Sequence, residues 1–155
     1  MESPANSAHA ERMSIVLCGV DDTEAGTTVM TAAKAAADRA GAPLLLAHVS
    51  TSQWGANVPA FHADADATTR VVEHGPPAQR LLAVADGHGA TLIVLGTRAL
   101  RWRASVARHV ARRASCPVMI VGPKADPQAE PVTRPAFDRA FLQTAEAPVV
   151  VVPTP

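Results

Sequence analysis

The sequence is poor in aromatic residues, which make up only 3% of a 155-residue chain whose hydrophobic content is 48%. Much of that hydrophobic content is alanine, so the core has to be built from Val, Leu, Ile and Ala side chains. Side chains of this size suit the close packing of helices on a sheet. A chain of this length fits one domain, large enough to bury roughly two thirds of its unfolded surface.

The sequence also lacks the features of a membrane or secreted protein. No apolar run approaches the ~18 residues of a membrane-spanning helix, and the first residues, MESPANSAHAER, hold no signal-peptide core. We therefore expect a cytoplasmic protein. Its two cysteines match no metal-binding spacing, and a cytosolic pair is not expected to form a disulfide. Cys18 lies inside the apolar run SIVLCGV, which predicts a small buried hydrophobe.

Charge is balanced over the whole chain but not along it. The formal net charge is zero and the pI is about 7, which gives no reason to expect binding to nucleic acid or membranes. Yet no Asp or Glu occurs between Asp86 and Asp126, and six arginines fall within residues 98–113. The arginines of the last helix indicate a solvated helix face. An alternative is a basic surface that docks an acidic protein or nucleic acid.

Patterns for metal binding and catalysis are missing as well. The six histidines form no HExxH or HxH pattern, and no GxSxG motif or paired-carboxylate arrangement occurs. The sequence therefore predicts no metal site and no catalytic residues.

Apolar runs alternate with helical segments over residues 13–122, which is typical of a parallel sheet covered by helices on both faces. The sequence predicts a single doubly wound α/β domain with five parallel strands, in the runs SIVLCGV, PLLLAHVS, TRVVEHG, TLIVL and CPVMIVG. Helices are expected at 29–41, 76–89 and 104–114, while 51–68 is too irregular to assign. Such sheets bind ligands beyond the carboxyl ends of the strands, where the strand order reverses.

Both ends of the chain differ from this pattern. Residues 1–12 are predicted to be a disordered leader, and residues 123–155 contain seven prolines and begin like a linker. The tail then continues as AFDRAFLQTA, which could form two or three helical turns, and EAPVVVVPTP, which echoes SCPVMIVGPK. It therefore indicates a repeat of the last helix–strand unit. A free run of four valines promotes aggregation, so we expect this strand to pair at the edge of the fifth strand, in its own chain or across to a partner.

Three stretches give the chain a family resemblance. HGPPAQRLLAVADGHGATLIVLGTR, SVARHVARRASCPVMIVG and the opening IVLCGVDDTEAG together resemble the universal stress protein family, of the UspA type, over roughly residues 13–122. The resemblance implies a Rossmann-like fold of the adenine-nucleotide-hydrolase type and a role in stress response. It also implies a homodimer formed through the edge of the fifth strand. Members that bind nucleotide hold ATP, with Mg²⁺, by a Gly-x2-Gly-x9-Gly-Ser/Thr loop after the fourth strand.

The resemblance also implies where a nucleotide would touch this chain. The adenosine contacts fall at the ends of three strands, and the phosphate contacts fall in the loop and at the start of the last helix. The nine positions are Gly19, Val20, Asp21, Val49, Leu95, Gly96, Arg98, Ser105 and Val106. Ser105 is also expected to cap the last helix, whose free N–H groups attract anions.

The phosphate loop departs from the family pattern. Ala99 and Ala104 stand where the family has its second and third glycines, and the loop is five residues shorter. Glycine lets backbone N–H groups approach phosphate closely, and alanine hinders that approach. We therefore expect a stress protein that acts by binding and dimerisation, without catalysis and with weakened or lost ATP binding. The alternative is a member that binds AMP or ATP through its arginine-bearing short loop, with slow hydrolysis left open.

Overall fold

The computed structural model describes residues 14–20, 25–50, 69–97 and 101–153. The elements in chain order are β1 (Ile15–Val20), α1 (Ala25–Ala40), β2 (Leu44–Ser50), β3 (Thr69–His74), α2 (Pro77–His88), β4 (Ala90–Gly96), α3 (Arg101–Arg113), β5 (Val118–Val121), β6 (Val132–Arg134), α4 (Arg139–Thr144) and β7 (Val149–Val151). The expected leader at 1–12 and the unassigned segment 51–68 lie outside the described residues. Within the described part of the chain, no helix is long and apolar enough to cross a membrane.

The strands form one seven-stranded sheet in the order β3-β2-β1-β4-β5-β7-β6. The first five strands pair in parallel, as β2 with β3, β1 with β2, β1 with β4 and β4 with β5. This confirms the predicted doubly wound α/β fold. The chain winds outward in one direction from β1 to β3 and in the other from β4 to β5, so the strand order reverses between β1 and β4.

Two hydrophobic clusters cover the two faces of the sheet. On one face, Leu17 and Ile93 are fully buried beneath α2 and α3. On the other, Cys18 and Val94 are fully buried beneath α1, whose contact face consists largely of alanine. Small alanine side chains let α1 lie close to the sheet, which explains how a chain with few aromatics still forms a closed core.

Turn residues fix the boundaries of α2. Pro77 begins the helix, where the missing N–H has no helical partner in any case. Gly89 ends it in the left-handed conformation, with a φ of 66°. The chain therefore turns directly into β4, which begins at Ala90.

The C-terminal tail (residues 123–155) adds two strands and a helix to the domain. β7 pairs antiparallel with β5 of the same chain, and β6 pairs parallel with β7. The predicted helix–strand unit is present as α4 and β7. β6 was not predicted, because its three residues lie in what the sequence presents as a proline-rich linker. Leu142 of α4 is only 2% exposed and joins the cluster under α2 and α3, so the tail is part of the core.

Candidate functional site

A cavity lies at the carboxyl ends of β1, β2 and β4, where the strand order reverses. It encloses about 480 Å³, including the part of its mouth that opens to solvent. The lining residues come from three strands and two helices, and they are Gly19, Val20, Ala47, Val49, Pro77, Leu81, Leu95, Gly96, Val106 and Ala107.

The structure brings most of the predicted contact positions together around this cavity. Six of the nine line it, and these are Gly19, Val20, Val49, Leu95, Gly96 and Val106. Asp21 and Arg98 lie outside the described residues. Ser105 belongs to α3, but its side chain is not among those described. Five of the six positions expected to meet adenosine therefore converge, and those expected to meet phosphate fall mainly in the undescribed part.

The start of α3 corrects one expectation about Ser105. The helix was predicted to begin next to Ser105, with its hydroxyl as the cap, but α3 begins at Arg101. Ser105 therefore lies inside the helix and is not its N-cap residue. The arginine-rich stretch before it is helical because basic side chains are good helix formers even without an apolar pattern. The free N–H groups of this helix belong to residues 101–104.

Four lining residues were missed by sequence reasoning. Ala47 lies two residues before Val49 in β2, so both face the same side of the sheet. Pro77 and Leu81 are one helical turn apart in α2, and Ala107 follows Val106 in α3. The period-two pattern of β2 was a usable signal for Ala47. The contribution of α2 follows only from its packing over the strand ends.

Glycine at the ends of β1 and β4 allows the walls of the cavity to come together. A Cβ atom on Gly19 would lie 2.6 Å from Leu95 Cδ2 and 3.4 Å from Leu81 Cδ1, both of which line the cavity. A Cβ atom on Gly96 would instead lie 2.5 Å from Val29 Cγ2, on the α1 side of the sheet. Gly19 therefore permits the shape of the cavity itself, and Gly96 permits the approach of α1 behind it.

His48 connects the ends of β1 and β2 beside the cavity. The residue is 8% exposed, and its Nδ1 lies 3.1 Å from the carbonyl oxygen of Val20. Because a carbonyl oxygen only accepts hydrogen bonds, Nδ1 carries the proton in this contact. The bond fixes the backbone of Val20, which lines the cavity. His48 is thus a positioning residue that the histidine pattern alone did not single out.

The described walls of the cavity are apolar. All of the described lining side chains are aliphatic, alanine, proline or glycine, so none of them titrates. The arginines 108, 112 and 113 of α3 are exposed, as expected for a solvated helix face. Among the residues with a described position, no group of three or more His, Cys, Asp or Glu could hold a metal ion. The described part of the site can therefore bind a flat or apolar group, with backbone N–H and C=O groups for polar contacts.

Comparisons with known proteins agree with this architecture. Residues 55–122 match the model of the universal stress protein family. No curated protein matches the chain. A solved universal stress protein in complex with cAMP is 26% identical, with a TM-score of 0.55, and the match covers 70% of this chain and 95% of that one.

Two further solved structures share the fold at lower identity. Universal stress protein UspA from Lactobacillus plantarum is 21% identical, with a TM-score of 0.57, over 70% of this chain and 97% of that one. A universal stress protein from Archaeoglobus fulgidus in complex with dAMP is 22% identical, with a TM-score of 0.55, over 70% and 96%. With its family-model match over residues 55–122, its doubly wound sheet and these structural neighbours, the chain is similar to universal stress proteins.

Proposed function

We propose that this chain is a stress-response binding protein that holds the nucleoside part of an adenine mononucleotide in the cavity at the ends of β1, β2 and β4. The observation that carries the proposal is the convergence of six predicted contact positions, from three strands and α3, on one apolar cavity. The cavity also lies where the strand order reverses, which is the general ligand position in this class of sheet.

The chemistry of the walls favours the base and sugar over the phosphates. Val49 and Leu95 present aliphatic surface to a purine ring, and the glycine at position 19 leaves room for it. Backbone groups at the strand ends supply the polar contacts. Drug-sized ligands gain about −0.3 kcal/mol of binding free energy per non-hydrogen atom. At that value, adenosine would bind with a Kd of roughly 10⁻⁵ to 10⁻⁴ M.

Two structural relatives support a mononucleotide ligand. One was solved in complex with cAMP and another in complex with dAMP. Both ligands carry an adenine base and a single phosphate. Because this chain shares the fold of both proteins, we propose that it accepts the same class of ligand.

The short loop after β4 supports weak binding of ATP. β4 ends at Gly96 and α3 begins at Arg101, so only four residues join them. Ala99 and Ala104 stand at positions where the family pattern has glycine. So short a connection leaves few backbone N–H groups to surround the β- and γ-phosphates. We propose that ATP binds no more tightly than AMP and that Mg²⁺ adds little.

We further propose that the protein acts by binding and not by catalysis. General acid–base catalysis needs a titratable group within hydrogen-bond reach of the reacting atoms. The described lining residues include no such side chain. We therefore propose that occupancy by the nucleotide, and not its hydrolysis, is the signal.

Calorimetric titration with adenosine, AMP and ATP, each with and without Mg²⁺, tests this proposal. We expect adenosine and AMP to bind in the micromolar range and ATP to bind with an affinity within about threefold of AMP, because the added phosphates gain few contacts. No heat with adenosine or AMP at millimolar concentration would contradict nucleoside binding. ATP binding more than tenfold tighter than AMP, lost in Arg98→Ala, would instead support the arginine-bearing loop as a phosphate site.

A further inference from the structure

The tail repeats the preceding βαβ unit in its local structure as well as in its sequence. Ala114-Ser115-Cys116-Pro117 connects α3 to β5, and Ala145-Glu146-Ala147-Pro148 connects α4 to β7. In both units four residues separate the end of the helix from the start of the strand. Each four-residue connection begins with a buried alanine. The backbone N–H of this alanine donates a hydrogen bond to the carbonyl oxygen four residues earlier, at 2.8 Å for Ala114 and 2.9 Å for Ala145.

β6 pairs with β7 in the same way as β4 pairs with β5. Both pairs are parallel. The carbonyl oxygen of Pro117 accepts a hydrogen bond from the N–H of Ile93 at 3.1 Å, and that of Pro148 accepts one from the N–H of Val132 at 2.9 Å. The unit β6-α4-β7 is therefore a shortened internal copy of β4-α3-β5.

The pairing of β5 with β7 has the symmetry of an interface between two identical chains. The repeat aligns residues 118–120 with residues 149–151. The observed antiparallel register pairs Val118 with Val151, Met119 with Val150 and Ile120 with Val149. If each residue is replaced by its equivalent in the other strand, the same three pairs result. Two identical strands that pair across a two-fold axis between subunits have this property. The local axis passes between Met119 and Val150.

The two faces of the sheet obey the same symmetry. Val118 and Val149, which are equivalent, both pack into the cluster under α2 and α3. Met119 and Val150, also equivalent, both pack on the α1 side. A two-fold axis perpendicular to a sheet keeps each face on its own side, so side chains as well as backbone follow one axis.

We propose that the tail takes the place of a second copy of this chain at the β5 edge, so that the intact protein is monomeric. The outer backbone groups of β5 are already paired with β7, and a second β5 would have to displace that strand. Displacement would also expose Leu142, Val149 and Val151, which are at most 4% exposed. On this side of the sheet the edge strand is now β6. It is only three residues long and is followed by Pro135, so it is a poor template for pairing.

Gly122 offers a way to weaken the docking of the tail without removing residues. A Cβ atom at this position would collide with the backbone carbonyl oxygen of Leu142. Because a backbone atom cannot rotate away, Gly122→Ala has to push α4 off the end of β5. Gly87→Ala is the matched control, since a Cβ atom at Gly87 meets nothing within 4 Å. Val150→Pro is a second variant, because proline cannot pair within β7, which lies between two strands.

Light scattering coupled to gel filtration, over a range of protein concentrations, tests the proposal on the full chain. We expect wild type and Gly87→Ala to elute at the monomer mass of 16.1 kDa. Gly122→Ala and Val150→Pro should gain a species of twice that mass, in a fraction that rises with concentration, as the freed β5 edges pair. Circular dichroism reports whether each variant keeps its fold.

Two results would overturn the proposal. The first is a wild-type chain that is itself dimeric, which decides the matter even if both variants fail to fold. The second is a folded Val150→Pro that stays monomeric at every concentration. Where neither variant folds, a monomeric wild type supports the proposal. The mass is measured without nucleotide, so the result is independent of the proposed ligand.

Discussion

Leu142 provides a quantitative test of whether the tail belongs to the core. Its side chain is 2% exposed and packs in the same cluster as Leu81, Val110 and Ile120. Leu142→Ala removes three buried carbon atoms, each worth about 0.8 kcal/mol of transfer free energy, or roughly 2.4 kcal/mol together. A residual cavity adds to this loss, and leucine-to-alanine changes in cores cost about 2–5 kcal/mol in total. We expect the free energy of unfolding to fall by about 3 kcal/mol.

Urea denaturation followed by circular dichroism measures this loss. The midpoint should fall while the m-value stays constant, and the melting temperature should drop by roughly 6–12 °C, at ~2–4 °C per kcal/mol. Val152→Ala is the control, since Val152 is also in the tail but 44% exposed, and should change stability by less than about 0.5 kcal/mol. A Leu142→Ala protein as stable as the control would refute the packing of α4 on the sheet.

Three further changes test separate parts of the structure. Burial raises the pKa of the Cys18 thiol to about 12 from its ordinary 9.0. The unfolded chain therefore loses this proton first, and the free energy of unfolding should fall as pH rises from about 9 to about 12. Cys18→Ala should flatten that part of a pH series of urea melts, and the chain has no tyrosine to titrate there. If the free energy of unfolding falls equally with pH in wild type and in Cys18→Ala, the Cys18 thiol is not buried as described. Gly96→Ala places a Cβ atom 2.5 Å from Val29 Cγ2 and should cost about 1–3 kcal/mol in a thermal melt; unchanged stability would show that α1 lies farther from the sheet. Asp138 accepts a hydrogen bond from the Phe141 N–H at 3.1 Å and caps α4, so Asp138→Ala should cost about 1 kcal/mol, whereas Asp138→Asn should cost only a fraction of that.

The central sheet could be predicted because its residues satisfy local and global rules at once. SIVLCGV is a continuous apolar run, and β1 is indeed buried on both faces. Gly89 follows a helical pattern, and it ends α2 in the left-handed conformation. The two short elements of the repeat, α4 and β7, could also be predicted, because AFDRAFLQTA and the four valines carry strong local signals.

Elements set by tertiary contacts could not be predicted in the same way. β6 has only three residues, Val132 to Arg134, between two prolines, and it exists as a strand because β7 pairs with it. The start of α3 was placed too late because Arg101 and its neighbours show no apolar periodicity. α1 likewise begins at Ala25, four residues before the predicted start at residue 29.

The candidate site shows the same division. Its strand-end positions, such as Gly19 and Val49, followed from the fold class and the family resemblance. The contributions of Pro77 and Leu81 depend on how α2 crosses the strand ends, which no local pattern encodes. The phosphate side rests on Arg98, which lies outside the described residues.

Titration of AMP into two valine-to-phenylalanine variants tests the central claim most directly. Val106 lines the cavity, and Val106→Phe fills part of it with a larger ring. Val132 is 41% exposed on β6, so Val132→Phe adds the same bulk at the surface. We predict that Val106→Phe weakens AMP binding at least tenfold while Val132→Phe binds like wild type. Equal affinities in the two variants would contradict the assignment of this cavity as the nucleotide site.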